Sequence, residues 1–301
     1  MKFDIFSGDK YLIGDIEWGG FGAMYARRKL IMQIAHAFQR IPIFRFTSYI
    51  YDDPFEPFNI NISTIKEMGI NEIKKFDFTD NDEQIVFFDF GSYWGSANMH
   101  KFQCWHPKDE EYLFYSGYLY NSLKLNDEYQ KRVEESVFFI KEKYNIANFE
   151  DITGLHLRRG DKIVESPYLS DTFIFDFLKK INSPKKIFVT SDELDYIHEI
   201  EGKYTDYEFI YDSEENRYGS KGLSNVSLIM QNPSLVKEET LTFVKNIEIL
   251  KECNCVIGSH SAQMTKIGGS INSYLRNKNN LYLINPNNNQ LEIMGNSEQT
   301  S

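Results

Sequence analysis

Tyr11-Leu12-Ile13-Gly14-Asp15-Ile16, then Trp18-Gly19-Gly20-Phe21-Gly22-Ala23, then a helical pattern to about Arg40, then Ile41-Pro42-Ile43-Phe44-Arg45-Phe46: this stretch reads as strand, glycine turn, helix, strand. A βαβ unit of this kind places ligands at the carboxyl edge of a parallel sheet. The same alternation returns further on. Strands are expected at Ile152–Arg158, Lys186–Ser191, Tyr207–Tyr211, Cys255–Ser259 and Asn280–Asn285, with helices near Asp171–Lys180, Glu193–Tyr204, Lys237–Glu252 and Ala262–Leu275. Such a pattern predicts parallel sheets covered by helices on both faces. Between the two regions, Ser48 to about Tyr120 is aromatic and resists parsing. Asp127 to Tyr144 is an amphipathic helix able to carry the chain across. The expected division is therefore two Rossmann-type α/β domains over residues 1–145 and 146–290, and a polar, frayed tail over 291–301. Tyr218–Glu239, rich in Gly, Ser and Asn, is expected to be a loop with the character of a lid.

With 301 residues the chain is long enough for two cores. A net charge of −11 argues against a general nucleic-acid binder, which needs a basic face to release counterions. It leaves room for a basic pocket, because overall sign does not set the field inside a cleft. No apolar run reaches the length of a bilayer span, and Met1–Phe6 lacks the apolar core of a signal peptide, so a cytoplasmic protein with no membrane anchor is expected. Cys104, Cys253 and Cys255 fit a reducing compartment as structural thiols. The six His show no metal-ligand spacing, so no metal is expected.

The segment that carries chemistry is Gly154-Leu155-His156-Leu157-Arg158-Arg159-Gly160-Asp161-Lys162. It begins as a buried strand and delivers two Arg, an Asp and a Lys within five residues. Guanidiniums are planar forks suited to phosphate oxygens and cannot lose their proton. Fixed cations of this type, without a metal, stabilise the charge that develops on a departing diphosphate. Since consecutive strand residues point to opposite faces, one Arg suffices for the ligand. Arg158 shares its face with His156 and is favoured. Arg159 is expected to brace the loop, with Asp161 as its candidate partner; salt-bridge partners at a strand end are the plainer alternative for both.

His-X-Arg-Arg-X-Asp-Lys resembles the signature of the α1,6-fucosyltransferases, the core and nodulation type, and is similar to the His-X-Arg-Arg-X-Asp-Tyr of α1,2-fucosyltransferases. Gly19-Gly20-Phe21-Gly22-Ala23 with the helix ending Ala37-Phe38-Gln39-Arg40, Asn216-Arg217-Tyr218, and Val256-Ile257-Gly258-Ser259-His260-Ser261-Ala262-Gln263 resemble further segments of that family in the same order. The resemblance spans roughly residues 12–275. It implies a GT-B-like fold of two domains facing across a cleft, the first on the acceptor side and the second binding the nucleotide sugar. It also implies an inverting, metal-independent transfer of fucose from GDP-fucose to a glycan or saccharide acceptor, with GDP-fucose as substrate rather than cofactor. By position, Arg158 contacts the β-phosphate with His156 nearby. Gly20 and Gly22 admit backbone N–H groups to the diphosphate, and Arg217 with Ser261, Ala262 and Gln263 lines the nucleotide pocket.

An inverting displacement needs a base for the acceptor hydroxyl. The family has a Glu four residues after the motif Lys; here Glu165 comes three after Lys162 and is the candidate, with Asp161 and Lys162 tuning it. Asp192 and Glu193 match a paired-acid position and offer a base or an acceptor contact, unless Asp192 only caps the helix that follows. The family reads guanine with an Asp where Asn246 stands; Glu248 lies close and carries the carboxylate that guanine's two N–H donors prefer. Ala262 replaces a Ser. Alternatives are a transferase using another nucleotide sugar, and a non-catalytic nucleotide-sugar or glycan-binding module. Trp94, Trp105 and His106 fall in the unparsed middle, where Trp105-His106-Pro107 reads as core packing or a loop anchor, with an acceptor platform as the alternative. His36 reads as a packing residue and Arg27-Arg28-Lys29 as a solvated helix face.

Overall fold

A computed structural model describes residues 9–16, 21–46, 52–56, 73–76, 78, 83–89, 110–160, 167–217 and 231–293. The chain forms two compact units, Met1–Tyr49 with Phe55–His106, and Ile50–Pro54 with Pro107–Ser301.

The first unit holds β1 (Tyr11–Ile16), α1 (Phe21–Ala37), β2 (Ile41–Phe46) and β3 (Ile85–Phe88). The sheet runs β2-β1-β3, all parallel, so the expected βαβ unit is present. Pro42 is accommodated because β2 is an edge strand among the described residues, where a missing N–H need cost no ladder bond. Asp15 and Arg45 sit opposite each other in register and make a bidentate pair at 2.5 and 2.6 Å. Gly14 lets α1 approach: a Cβ there would lie 2.5 Å from Ile31 Cδ1. Two expectations are corrected in α1. Arg28 and Lys29 are buried rather than solvated, since the Arg28 guanidinium lies over the rings of Phe44 (5.1 Å) and Phe55 (4.8 Å). His36, in the last turn, is exposed rather than packed. β3 comes from the unparsed middle, where a four-residue apolar run does not stand out among so many aromatics.

The second unit contains α2 (Glu110–Asn121), α3 (Asp127–Lys143), β4 (Thr153–Leu157), α4 (Asp171–Lys180), β5 (Lys186–Ser191), α5 (Leu194–Lys203), β6 (Glu208–Ile210), α6 (Val236–Glu252), β7 (Cys255–Ser259), α7 (Gln263–Arg276), β8 (Leu281–Asn285) and β9 (Gln290–Ile293). The expected break at 145/146 falls earlier, at 106/107, because α3 belongs to this unit: its Ile140 packs with Phe149, Phe188 and Ile210. The end of the expected lid is likewise helical, residues 236–239 forming the start of α6. The expected polar tail also begins later. After a turn with Asn289 at φ 51°, β9 pairs antiparallel with β8 and extends the sheet to Ile293.

The sheet order is β6-β5-β4-β7-β8-β9, parallel except for β9. Alternate residues feed opposite faces. Leu155, Leu157, Ile187, Val189 and Ile257 meet α4 and α5 through Ile174, Phe175, Leu178, Ile197 and Ile200. Phe188, Val256, Leu281 and Leu283 meet Leu113, Ile140, Ile249 and Leu250 from the other side. Side-chain caps set two helix starts, Asn126 accepting the Tyr129 N–H and Ser170 the Phe173 N–H. The free thiols of Cys253 and Cys255 are buried; burial pushes Cys253 well above the ordinary thiol range and Cys255 up to about 11, which keeps both protonated.

α2 and α7 pack so closely that a Cβ on Gly117 would stand 2.0 Å from the Ser270 carbonyl oxygen. Helix propensity favours Ala over Gly by about 1 kcal/mol, but a backbone oxygen on a facing helix cannot swing aside. Gly117→Ala is expected to destabilise by about 1–3 kcal/mol, read as a lower urea midpoint at unchanged slope.

A candidate nucleotide site at the sheet's carboxyl edge

Strand order fixes where a site can form. From β4 the chain winds outward to β5 and β6, then returns to β7 on the other side of β4 and continues to β8. The connections leaving β4 and β7 therefore diverge at their carboxyl ends, the switch point that leaves a crevice in open α/β sheets. The turn after β4 is Arg158-Arg159-Gly160, and β7 is followed by His260-Ser261-Ala262 and the start of α7.

Two acids hold the turn. Asp192 Oδ1 accepts the Arg159 backbone N–H at 2.6 Å, while Asp192 Oδ2 lies 3.4 Å from Arg158 Nε. Glu193 Oε1 accepts the Gly160 N–H at 3.1 Å. Gly160 has φ 59°, a left-handed conformation that suits glycine, and its carbonyl accepts the Tyr168 hydroxyl at 2.8 Å. Asp192 does not cap the following helix; the N-cap of α5 is Glu193, with no side-chain capping bond. Arg159 is 8% exposed, its guanidinium 3.6 Å from the Tyr196 ring and 4.7 Å from the Tyr168 ring, and it donates to the Leu169 carbonyl. Arg158 remains partly exposed.

Behind the turn a polar row crosses an otherwise apolar sheet face. His156 is in register with Thr190 on β5 and Gly258 on β7. A Cβ on Gly258 would lie 2.5 Å from Thr265 Oγ1, so glycine lets the first turn of α7 reach the strand, where Thr265 Oγ1 and His156 Nδ1 hydrogen-bond at 2.8 Å. Burial, and then the charge of Arg158, lower the His156 pKa to about 3, so the ring is neutral at physiological pH. Asn246 is 1% exposed and donates to Thr190 Oγ1 at 3.0 Å; among the described residues its Oδ1 has no hydrogen-bond partner. Glu248, two residues further along α6 and so on another side of the helix, pairs with Lys251.

α7 opens without a side-chain cap because its N-cap is Ala262, whose own N–H bonds the Ser259 carbonyl. An uncapped start of a 14-residue helix, here at Gln263, presents donors to anions. Ser261 bonds Ser259 through both its N–H and its hydroxyl.

Arg217 serves the site from below. Its side chain is 4% exposed; Nε donates to the Ser191 carbonyl at 3.0 Å, Nη2 to the Asp212 carbonyl at 2.7 Å, and Nη2 also pairs with Glu215. Lys245 joins the group through Asp212 (2.5 Å) and Glu215 (2.8 Å). Burial would raise the Asp212 carboxyl, but Lys245 holds it below the usual range.

Of the residues singled out in the sequence, His156, Arg158, Arg159, Asp192, Glu193, Ser261, Ala262 and Gln263 thus meet at one sheet edge. Arg217 and Asn246 lie buried behind it. Gly22 is the second residue of α1, in the first unit. Gly20, Cys104, Asp161, Lys162, Glu165, Trp94, Trp105 and His106 lie outside the described residues. Thr265, Tyr168, Tyr196, Lys245 and Glu215 were not singled out by sequence. Gly258, a glycine inside a strand, was the available signal for Thr265; the tyrosines and Lys245 carry no local signature. Among the described residues no group of three or more His, Cys, Asp or Glu is placed to hold a metal ion, and no helix is long and apolar enough to cross a membrane.

The architecture is of the GT-B-like α/β class. No protein-family model and no curated protein matches the sequence. Among solved structures, NodZ α1,6-fucosyltransferase soaked with GDP-fucose shares the fold at TM-score 0.50 and 13% identity, covering 87% of this chain and 93% of that one. POFUT1 in complex with GDP aligns at TM-score 0.49 and 11% identity, over 91% and 98%.

The buried His156 links stability to pH. Its folded pKa is about 3 against 6.5 for the free side chain, so the unfolded chain takes up a proton first as pH falls. The contribution is complete above the unfolded value and is lost on acidification through this window. Between pH of about 6.5 and about 5, wild type is expected to lose about 2 kcal/mol more than His156→Gln, measured by urea unfolding at the two pH values.

Proposed function

We propose that the protein is an inverting, metal-independent glycosyltransferase that moves fucose from GDP-fucose to a glycan or other saccharide acceptor, in the cytosol and for a cell-surface polysaccharide. The observation that carries this reading is the Arg158-Arg159-Gly160 turn, held by Asp192 and Glu193 at the switch point of a parallel sheet beside the uncapped start of α7. In this reading the second unit binds the nucleotide sugar and the first serves the acceptor.

The chemistry follows from charge. Breaking the bond between sugar and diphosphate leaves negative charge on the β-phosphate oxygens. A guanidinium fixed in advance stabilises that charge without reorganising. Arg158 is assigned this task, with the N–H groups at the start of α7, near Gln263, as further donors. His156 supports the turn as a neutral ring, adding no second charge. Glu165 is assigned as the base that takes the acceptor proton, tuned by Asp161 and Lys162.

A second reading has one specific observation in its favour. Asn246 is a buried amide whose Nδ2 is occupied by Thr190. An amide oxygen accepts from a base edge but lacks the charge and paired oxygens of a carboxylate. This favours a transferase whose donor carries another base.

Titration with GDP, UDP, ADP and CMP, each with EDTA and with Mg²⁺, separates the readings. Metal-independent binding of GDP alone supports GDP-fucose; preference for another nucleotide supports the second reading; binding of none leaves the turn as structure and overturns both. Arg158→Ala is expected to lower kcat/KM by the equivalent of about 3–4 kcal/mol, and Arg158→Lys to recover little of it, because a point charge cannot form the fork. Near-normal turnover of the Lys variant would remove Arg158 from this role.

A further inference from the structure

Asp192 and Glu193 place two carboxylates against a turn that, in the proposed reading, receives a diphosphate. By charge alone this is adverse: a carboxylate beside the anion-binding guanidinium repels the anion and competes for the same cation. Their contacts show what they contribute instead. Consecutive N–H groups with a left-handed glycine form an anion-binding concavity, and here the N–H groups of Arg159 and Gly160 are already taken by Asp192 Oδ1 and Glu193 Oε1. The turn backbone therefore does not cradle a ligand phosphate, and the task passes to a side chain.

The Asp192 carboxylate spans both parts. One oxygen fixes the backbone immediately after Arg158, at 2.6 Å, and the other stands 3.4 Å from Arg158 Nε. A contact at Nε sets the plane of the guanidinium, and so the direction in which its terminal nitrogens point. A base has to offer an oxygen to the acceptor hydroxyl, whereas both Asp192 oxygens lie against donors of the turn. Asp192 is itself anchored, since the preceding residue, Ser191, has its carbonyl held by Arg217 Nε.

We infer that Asp192 is a positioning residue that acts through Arg158, aiming its guanidinium at the diphosphate, and is not the base of the reaction. The inference rests on the proposed diphosphate site. The test is a double-mutant cycle on ligand affinity, read by calorimetry with GDP and separately with inorganic pyrophosphate, using wild type, Arg158→Ala, Asp192→Ala and the double variant. Asp192→Ala is expected to weaken binding about tenfold. The double variant is expected to match Arg158→Ala within about twofold, since the acid then has nothing left to aim. Asp192→Asn, close to isosteric and able to keep the Arg159 N–H bond, is expected to weaken binding as well; thermal unfolding confirms that each variant is folded. A residue acting only by its charge would give tighter binding in Asp192→Asn, and a residue acting independently would give losses that add. Either result overturns the inference, as does a wild type that binds neither probe. Pyrophosphate binding without preference for GDP would instead fail the GDP-fucose reading, and the pyrophosphate cycle would still decide the role of Asp192.

Discussion

When a buried parallel strand ends, its chain must turn, and the turn's N–H groups must find acceptors in a place from which water is partly excluded. In this protein that requirement falls on Arg159 and Gly160, two and three residues beyond the end of the central strand β4, and it is met by the two acids that follow the neighbouring strand β5. A buried donor left alone costs about 1–3 kcal/mol, so β5 has to end in register with β4 for the turn to exist in this shape. The pairing of His156 with Thr190 and of Leu157 with Ser191 provides that register. Arg159, stacked on Tyr168 and Tyr196, ties the same turn to the segment that leads into α4. Arg158 is the charged member of the turn that stays partly exposed.

The opposite face of the sheet is shaped by close approach. Gly154 leaves room for Leu250 and Cys253 of the α6 end, and Gly258 leaves room for Thr265 in the first turn of α7. Side chains there would push both helices off the sheet. With them close, the polar row of His156, Thr190, Asn246 and Thr265 is sealed from water and its members bond one another. Sealing fixes the charge state too. A protonated His156 would be buried beside Arg158, and both desolvation and repulsion oppose it.

The sequence pattern revealed much of this frame and stopped where local signals stop. Strand boundaries at Tyr11–Ile16, Ile41–Phe46, Lys186–Ser191 and Cys255–Ser259 agree with the structure because buried parallel strands are continuous apolar runs between turn residues. Most of β9 reads as tail in the sequence, since Gln290-Leu291-Glu292-Ile293 is half polar and its pairing with β8 is a tertiary fact. α2 was hidden because its tyrosines blur the helical period. In the site, Arg158 and the acids were legible as residue types at strand ends. The division of labour was not: that Arg159 is stacked inward, or that Asp192 reaches the turn rather than its own helix, depends on which strands are neighbours.

The buried charges behind the site fit the same logic. Lys245, Asp212, Glu215 and Arg217 form a four-membered cluster with little exposed surface on three of the side chains. Buried ion pairs contribute little net stability compared with apolar packing of the same volume, because desolvation offsets much of the attraction. Apolar residues could fill that space, but they could not bind a carbonyl. Arg217 does: it holds the Ser191 and Asp212 carbonyls together and so joins the end of β5 to the loop after β6. Glu215 neutralises it there, and Lys245, paired with the same Glu215, connects it to α6. A continuous set of polar contacts therefore runs from α6 through Glu215 and Arg217 to Ser191, and from the adjacent Asp192 to Arg158. A buried, paired guanidinium thus fixes the backbone from which the turn's carboxylate clamp is built.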